Sequence, residues 1–192
     1  ARSFWRIVDL QDCLLLPEPM TGLLRDVRVL AQATGQPAYN PKTHQGFFRY
    51  LVIRWGHRTG ELMACLITTR GDRSVMERLA GTLAQHHPQL KSVYWGVTTK
   101  VADVAIPEEL FLVGGRPYLE DRIGPFAIAL HPLNFLQPTS VQAERMYAQL
   151  SEWVSDLPHG VAWDVYCGIG LVAFYLAQRY GTVHGIDLRR HA

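Results

Sequence analysis

The sequence predicts an α+β domain with an antiparallel sheet over residues 1–130, followed by the start of a doubly wound α/β domain over residues 131–192. Two β-rich runs, 47–55 and 61–69, are joined by the short loop GHRTG, which is typical of a β-hairpin. Residues 161–188 instead show the order strand, glycine-rich turn, helix, strand, which is typical of a βαβ unit in a parallel sheet. This change of pattern divides the chain into two domains of different class.

The remaining elements of the first domain follow from the spacing of apolar residues. These recur at helical intervals over 21–33 and over 74–86, and Gly35 follows the first of these segments. Residues 92–99 form a third β-rich run, and 110–130 contain two or three short strands separated by glycines. The pattern therefore predicts antiparallel strands covered by two helices.

The second domain opens with a long helix predicted over residues 139–157. Thr139 and Gln142 have the T-x-x-Q spacing of a capping box, which indicates where this helix starts. A single βαβ unit cannot bury both faces of its own sheet. We therefore expect the rest of this domain to lie beyond Ala192.

The composition excludes several classes of protein. Of 192 residues, 48% are hydrophobic and the formal net charge is +2, which is ordinary for a globular chain and does not by itself indicate nucleic-acid binding. No apolar run approaches the roughly 20 residues that span a membrane. Three separate cysteines without a CxxC pair argue against a disulfide framework and predict a reducing, cytoplasmic location.

The most informative local feature is the segment DVYCGIG at residues 164–170. Gly168 and Gly170 allow a tight turn from the strand into the helix and bring backbone N–H groups close to a ligand. Asp187 stands at the end of the next strand, where a carboxylate can accept hydrogen bonds from both hydroxyls of a ribose. The turn therefore predicts a site for a cofactor that contains adenosine.

Three interpretations of this turn remain open. The run GIGLVA also matches the G-x-G-x-x-A pattern of dinucleotide-binding proteins. Asp164 favours S-adenosylmethionine instead, because a carboxylate there would repel a pyrophosphate but suits the ammonium group of a methionine moiety. The third interpretation is a strand-to-helix turn that binds nothing.

The segment DVYCGIG resembles the D-L-Y-C-G-x-G turn of the RNA uracil-5-methyltransferases. Further segments resemble motifs of the same family, in the same order along the chain: 44–54, 60–68, 121–124, 135–139 and 142–147. The resemblance therefore covers nearly the whole sequence.

This resemblance implies an enzyme that transfers a methyl group from S-adenosylmethionine to C5 of a uridine in transfer or ribosomal RNA, with neither DNA nor a membrane as a partner. It implies a Rossmann-like methyltransferase domain over 131–192. Thr139 departs from the family, which has asparagine there, so no role is carried over to it. Six residues match positions that hold the cofactor in the family: Gln137, Asp164, Tyr166, Gly168, Gly170 and Asp187.

The resemblance also implies where catalysis takes place. In that family a cysteine thiolate adds to uracil C6, so that C5 can take the methyl group, and a glutamate then removes the C5 proton. Both residues lie in the later part of the methyltransferase domain. No catalytic residue is therefore expected in this chain, which is predicted to be an incomplete and inactive fragment. Cys167 is interpreted as a small side chain packed under the cofactor turn, and Cys65 as a core residue.

Cys13 has two interpretations. Its segment, VDLQDC, is similar to the one that carries the fourth cysteine ligand of an iron–sulfur cluster in some members of the family. The alternative is a buried structural thiol. A single cysteine cannot hold a cluster by itself.

Basic and aromatic residues are interleaved in the first domain: Arg49, Arg54, Arg58, Lys91 and Lys100 beside Phe48, Tyr50, Trp55, Tyr94 and Trp95. One interpretation is contact with RNA through stacking and phosphate pairing, but solvated charges beside core aromatics are favoured. A function without catalysis is a further alternative. In that case residues 1–130 would dock RNA or a partner protein.

Overall fold

The computed structural model describes residues 9–10, 12–158 and 160–188 of the chain. These residues form two compact units. The first unit contains the residues up to Trp55 and Leu62–Gly115, and the second contains Gly56–Glu61 and the residues from Arg116 onward. Residues 116–130 cluster with the second unit, whereas the predicted domain boundary lies at residue 130. The outer ends of both predicted domains lie outside the described residues, and the domain assignment stays a prediction.

The first unit contains a four-stranded sheet in the order β1-β2-β3-β4 and two helices. Its elements are α1 (Glu18–Ala33), β1 (Phe48–Trp55), β2 (Leu62–Thr68), α2 (Arg73–His86), β3 (Leu90–Val97) and β4 (Glu109–Gly115). β1 and β2 pair in antiparallel orientation, which confirms the predicted hairpin, and so do β3 and β4.

The fully antiparallel sheet predicted for this domain is wrong at one pair of strands. β2 and β3 run parallel, with Cys65 opposite Tyr94. The reason is the connection between them, because α2 lies between the two strands and a helical crossover returns the chain to the same end of the sheet. The sheet is therefore mixed, and the fold as a whole is mixed α/β with a multi-stranded sheet.

The two helices of the first unit pack against its sheet. α1 begins at Glu18, earlier than the predicted residue 21, because Pro19 is tolerated in the first turn of a helix. α2 begins after Asp72, whose carboxylate accepts a hydrogen bond from the Ser74 N–H at 2.8 Å. The core between helices and sheet includes Leu23, Val27, Leu62, Ala64, Leu66, Met76, Leu79, Leu83, Val93 and Trp95.

The second unit contains a β-hairpin, a helix and a βαβ unit. Its elements are β5 (Leu119–Ile123), β6 (Phe126–Leu130), α3 (Ser140–Trp153), β7 (Val161–Val165), α4 (Leu171–Leu176) and β8 (Thr182–Ile186). β5 and β6 pair antiparallel, and β7 and β8 pair parallel, as their sequence patterns predict. The assignment of the βαβ unit to a Rossmann-like domain stays a prediction, because two strands do not define a sheet order.

α3 is shorter than predicted, and the predicted capping box does not form. The Thr139 backbone is extended and its side chain makes no capping hydrogen bond. Its carbonyl accepts the first helical bond, from the Ala143 N–H at 2.9 Å. At the other end, tight turns replace the helix over 154–157, because Pro158 disfavours helical backbone in the residue before it. Neither this helix nor any other in the described ranges is long and apolar enough to cross a membrane.

The loop Gly56–Glu61 connects β1 to β2 in the sequence but belongs to the second unit. The carboxylate of Asp121, which is 1% exposed, accepts the backbone N–H groups of His57 and Arg58 at 3.0 and 2.8 Å. The Arg58 guanidinium donates to the Glu144 carboxylate at 2.8 Å. A buried acid on β5 therefore fixes the conformation of this loop.

Candidate cofactor site

The turn between β7 and α4 has an uncommon backbone conformation. Tyr166, Gly168 and Gly170 have positive φ angles of 63°, 54° and 80°. The two glycines adopt this conformation without steric cost, but a tyrosine must be held in it by its surroundings. The backbone N–H groups of Tyr166 and Cys167 both donate to the Ile186 carbonyl, at 2.7 and 3.1 Å. The end of β8 therefore fixes the shape of the turn.

Asp187, the acid predicted to bind a ribose, directly follows β8. Its Oδ2 atom accepts a hydrogen bond from the Gly168 N–H at 3.0 Å. Because β7 and β8 are parallel neighbours, their carboxyl ends lie at the same edge of the pair. The structure thus brings Asp187 to the glycine turn, where the sequence spacing places it.

Asp164 lies in β7 and contacts the first turn of α4. Its Oδ2 atom accepts the Ala173 N–H at 2.9 Å. Burial raises the pKa of the Asp164 carboxyl, and the hydrogen bond from Ala173 opposes that rise. Asp164 therefore caps α4, a role that the sequence analysis missed. Its contact with a cofactor ammonium stays a prediction.

The Cys167 thiol packs against β8. A Cβ atom at Gly185 would lie only 3.0 Å from Cys167 Sγ, so the glycine makes room for the sulfur. Burial raises the pKa of this thiol, and the nearby charges of Asp164 and Asp187 raise it further. Since the thiolate is the reactive form of cysteine, these surroundings make Cys167 a poor nucleophile. A structural role fits them better.

Gln137 lies in the connection between β6 and α3 and is half-buried. Asn134 orders this connection: its Oδ1 atom accepts the His131 N–H at 2.7 Å, and its own N–H donates to the His131 carbonyl at 3.0 Å. Asn134 is buried, and the sequence analysis missed it because it belongs to none of the recognised motifs. The role of Gln137 in cofactor binding stays a prediction.

Four aromatic side chains form a cluster in the second unit: Phe126, Tyr147, Phe174 and Tyr175. Their ring centroids are 5.1–5.5 Å apart in three pairs. Burial raises the pKa of Tyr147, and the charge of Asp164 raises it further. The cluster joins β6, α3 and α4. Tyr147 ends the segment 142–147, which resembles a motif of the RNA uracil-5-methyltransferases.

Cys13 is half-exposed, and its backbone N–H donates to the Asp12 carboxylate at 2.8 Å. Within the described ranges, no group of three or more His, Cys, Asp or Glu side chains is arranged to hold a metal ion. An iron–sulfur ligand role for Cys13 therefore stays a prediction.

Comparison with known proteins finds relatives that are named for RNA methylation. No family model matches the chain. The chain is 30% identical over 184 residues to a protein from Oceanobacillus iheyensis, and 30% identical over 187 residues to one from Chlorobaculum tepidum. Both are named uncharacterized RNA methyltransferases, and the alignments cover 95% and 97% of this chain. The chain spans 40% and 39% of the length of these curated relatives.

A solved structure is also similar. It is the tRNA (uracil-54, C5)-methyltransferase of Pyrococcus abyssi in complex with S-adenosyl-L-homocysteine. The TM-score is 0.79 at 26% sequence identity, and the match covers 97% of this chain and 44% of that chain. Together with the named relatives, this similarity supports a relationship to an RNA methyltransferase family.

Proposed function

We propose that the whole protein is an S-adenosylmethionine-dependent RNA methyltransferase that methylates C5 of a uridine in transfer or ribosomal RNA. This chain would supply part of the cofactor site. The observation that carries the proposal is the hydrogen bond between Asp187 and the Gly168 N–H, which joins the acid expected to bind ribose to a glycine turn. The similarity to the Pyrococcus abyssi tRNA (uracil-54, C5)-methyltransferase supports uridine C5 as the target.

The residues around the turn fit S-adenosylmethionine. A Cβ atom at Gly168 would meet no other atom within 4 Å, so the space beside this backbone is open to a ligand. Asp187 would accept hydrogen bonds from the ribose hydroxyls, because a carboxylate offers several acceptor positions. Asp164, Tyr166, Gly170 and Gln137 would complete the site. The bound cofactor would supply an electrophilic methyl group on a sulfonium.

The contacts of Asp164 argue against a dinucleotide. Ala173 is the last residue of the run GIGLVA, and its N–H lies in the first helical turn, where a pyrophosphate binds in dinucleotide sites. In this structure the Asp164 carboxylate accepts that N–H. A pyrophosphate at the same place would be repelled by the Asp164 carboxylate, and the Ala173 N–H would already be used as a donor. S-adenosylmethionine carries no phosphate and avoids this conflict.

Photo-crosslinking would test the cofactor assignment. The 192-residue chain would be irradiated with S-adenosylmethionine labelled in its methyl group, and the labelled peptides identified by mass spectrometry. We expect label in the peptides that contain residues 164–170 or Asp187, with competition by S-adenosylhomocysteine and not by NAD. Labelling elsewhere only, or displacement by NAD, would contradict the proposal.

The target base requires a second measurement on the whole protein. Transfer and ribosomal RNA would be incubated with the labelled cofactor, digested to nucleosides and separated by chromatography. We expect the label in 5-methyluridine. Label in another nucleoside would retain the methyltransferase assignment but overturn uridine C5 as the target.

A further inference from the structure

The structure divides the interleaved basic and aromatic residues of the first predicted domain into separate groups. Tyr94 and Trp95 are buried in β3. Arg54 is half-buried, and this burial lowers the pKa of its guanidinium. Arg58 is paired with a carboxylate in the second unit, and the Lys91 ammonium donates to the Pro88 carbonyl. These residues have structural roles and are not arranged as one binding surface.

Other residues from that set meet on the surface of the first unit. We name this group the Tyr39–Arg49 cluster, and its members are Tyr39, Lys42, His44, Arg49, Tyr50 and Lys100. Lys42, His44 and Lys100 are exposed, and the other three are half-buried. Arg49, Tyr50 and Lys100 belong to the interleaved set, and Tyr39, Lys42 and His44 join them in the structure.

Arg49 lies at the centre of the cluster. Its guanidinium stands over the Tyr39 ring at 4.1 Å from the centroid, and 5.5 Å from the centroid of the Tyr50 ring. It also donates to the backbone carbonyls of Lys100 and Ala102, at 2.5 and 3.3 Å. Because these acceptors are uncharged, they position the guanidinium without cancelling its charge. The cluster therefore presents a fixed cation between two aromatic rings.

His44 is held in a strained conformation beside this cation. Its φ angle is 57°, in the left-handed region that non-glycine residues rarely adopt. Its N–H donates to the Asn40 carbonyl at 2.8 Å, and its Nδ1 atom lies 3.2 Å from the Tyr39 hydroxyl. The Asn40 side chain accepts the Lys42 N–H at 2.8 Å. Strain of this kind persists only where several contacts enforce it, and it is concentrated at functional sites.

We propose that the Tyr39–Arg49 cluster is a docking surface for single-stranded or looped RNA. The exposed His44 imidazole and the Tyr39 ring would stack against bases. Lys42, Arg49 and Lys100 would pair with phosphates. This combination of flat rings and positive charge is the chemistry by which proteins bind unpaired nucleotides. The choice of RNA as the partner rests on the proposed function.

The charge balance of the cluster favours RNA over a basic partner. The cluster carries three permanent cations and lies near two carboxylates. Asp103 accepts the Tyr50 hydroxyl at 2.5 Å, and Glu108 interacts with the charge of Lys100. A protein segment rich in acidic residues could pair with the same cations, but its binding would not require the His44 and Tyr39 rings. The requirement for His44 and Tyr39 therefore separates RNA from a general polyanion.

Fluorescence anisotropy with the 192-residue chain and a labelled single-stranded oligouridylate would test the docking surface. The sharpest variant is His44→Gly, because glycine adopts the left-handed backbone without strain while the stacking ring is removed. We expect its thermal midpoint to equal or exceed that of the wild type, whereas its RNA affinity falls roughly fivefold or more. Tyr39→Leu should weaken binding similarly.

The lysines provide an independent readout. Lys42→Gln and Lys100→Gln should each weaken binding and reduce the slope of log affinity against log salt by about 0.7, the value for one contact to single-stranded nucleic acid. Lys91→Gln is the matched control, because this exposed lysine lies in the same unit but outside the cluster, and it should leave both quantities unchanged.

Every other result contradicts the proposal. No RNA binding by the wild-type chain would overturn it, and so would wild-type affinity in His44→Gly. Sensitivity to the lysines alone, or equally tight binding of polyglutamate, would indicate a general polyanion surface. The cofactor crosslink at residues 164–187 does not involve this cluster. A positive crosslink without RNA binding would therefore overturn this inference and leave the proposed function standing, and the reverse result would overturn the cofactor assignment alone.

Discussion

The Asp187 Oδ2 atom accepts a hydrogen bond from the Gly168 N–H at 3.0 Å, which links the ends of two parallel strands. Gly168 follows β7 and Asp187 follows β8. The bond orients the carboxylate, and it uses one of the backbone donors of the glycine turn. Asp187, the acid proposed to bind the ribose, and the glycine turn are thus one structural unit. A change in either should affect both cofactor affinity and local stability.

Two substitutions of Asp187 should weaken cofactor binding to different extents. Asp187→Ala removes both the charge and the acceptor for Gly168, and we expect a loss of about 1.5–3 kcal/mol in binding free energy, the range for hydrogen bonds to a charged group. Asp187→Asn retains an acceptor and should lose less. Ligand-detected NMR with S-adenosylmethionine would measure the affinities, because that method remains sensitive to weak binding.

The control for this series is Asp156→Ala, which removes an exposed acid of the same unit outside the turn. We expect its affinity to match the wild type. If Asp187→Ala also bound the cofactor as the wild type does, Asp187 would have no part in the site.

Gly124 is expected to be intolerant of a side chain because of Tyr175. Its φ angle is 56°, and a Cβ atom there would collide with the Tyr175 hydroxyl. Gly124→Ala should therefore destabilise the chain by roughly 2–4 kcal/mol, which combines overpacking with the cost of a positive φ angle. Urea denaturation would measure the change.

The Tyr175→Phe background separates these two costs. Without the hydroxyl the collision is relieved, so Gly124→Ala should then cost only about 1 kcal/mol, the backbone term. A double-mutant cycle gives the coupling directly. Equal costs in the two backgrounds would mean that Tyr175 does not pack over Gly124.

The features that sequence could predict depend on local spacing. The β1–β2 hairpin followed from two β-rich runs and a short glycine-bounded loop. The position of Asp187 beside the turn followed from the length of one βαβ unit, because parallel strands end at the same edge. In both cases the residues that fix the geometry lie within one structural motif.

The features that sequence missed depend on contacts between distant segments. Asp121 accepts the N–H groups of His57 and Arg58, more than sixty positions earlier, and no periodic pattern marks such a pair. The capping box at Thr139 failed for a related reason. A matching T-x-x-Q spacing does not determine the side-chain rotamer, and here the Thr139 side chain makes no hydrogen bond to the first turn of the helix.

Glu144 should make the stability of the chain depend on pH in the acid range. The hydrogen bond from the Gly124 N–H, and to a smaller extent the one from Arg58, holds the pKa of the Glu144 carboxyl below its ordinary value. A carboxyl whose pKa is lowered by folding contributes its full stabilisation above its pKa in the unfolded chain, which is about 4.3 for glutamate. This stabilisation is lost as the pH falls through the pKa of the folded state. The thermal midpoint should therefore fall as the pH is lowered below about 4.3.

Glu144→Gln tests the source of this dependence, because it keeps the shape of the side chain and removes its titration. We expect this variant to have a lower thermal midpoint at neutral pH and a shallower decline of the midpoint as the pH is lowered. Glu152→Gln, on the same helix, is the control and should retain the steep decline. An unchanged acid slope in Glu144→Gln would assign the effect to other carboxyls.

The cysteines of this chain predict its catalytic behaviour. Methylation at uracil C5 in the proposed mechanism needs a thiolate at C6. Cys65 is 2% exposed, and burial raises the pKa of its thiol to about 12. Cys167 packs against Gly185 with a raised pKa, and Cys13 belongs to the first compact unit whereas the cofactor turn belongs to the second. None of the three is placed as a competent nucleophile.

A polypeptide of these 192 residues should therefore transfer no methyl group to RNA, even if it binds the cofactor. The measurement is incubation with tritiated S-adenosylmethionine and unmodified transfer and ribosomal RNA, followed by nucleoside analysis. We expect 5-methyluridine at the level of a control without protein. Cys167→Ser is the informative variant, since it removes the thiol within the glycine turn while keeping a small side chain. Methylation by the wild type that disappears in Cys167→Ser would identify Cys167 as the nucleophile and overturn its structural assignment.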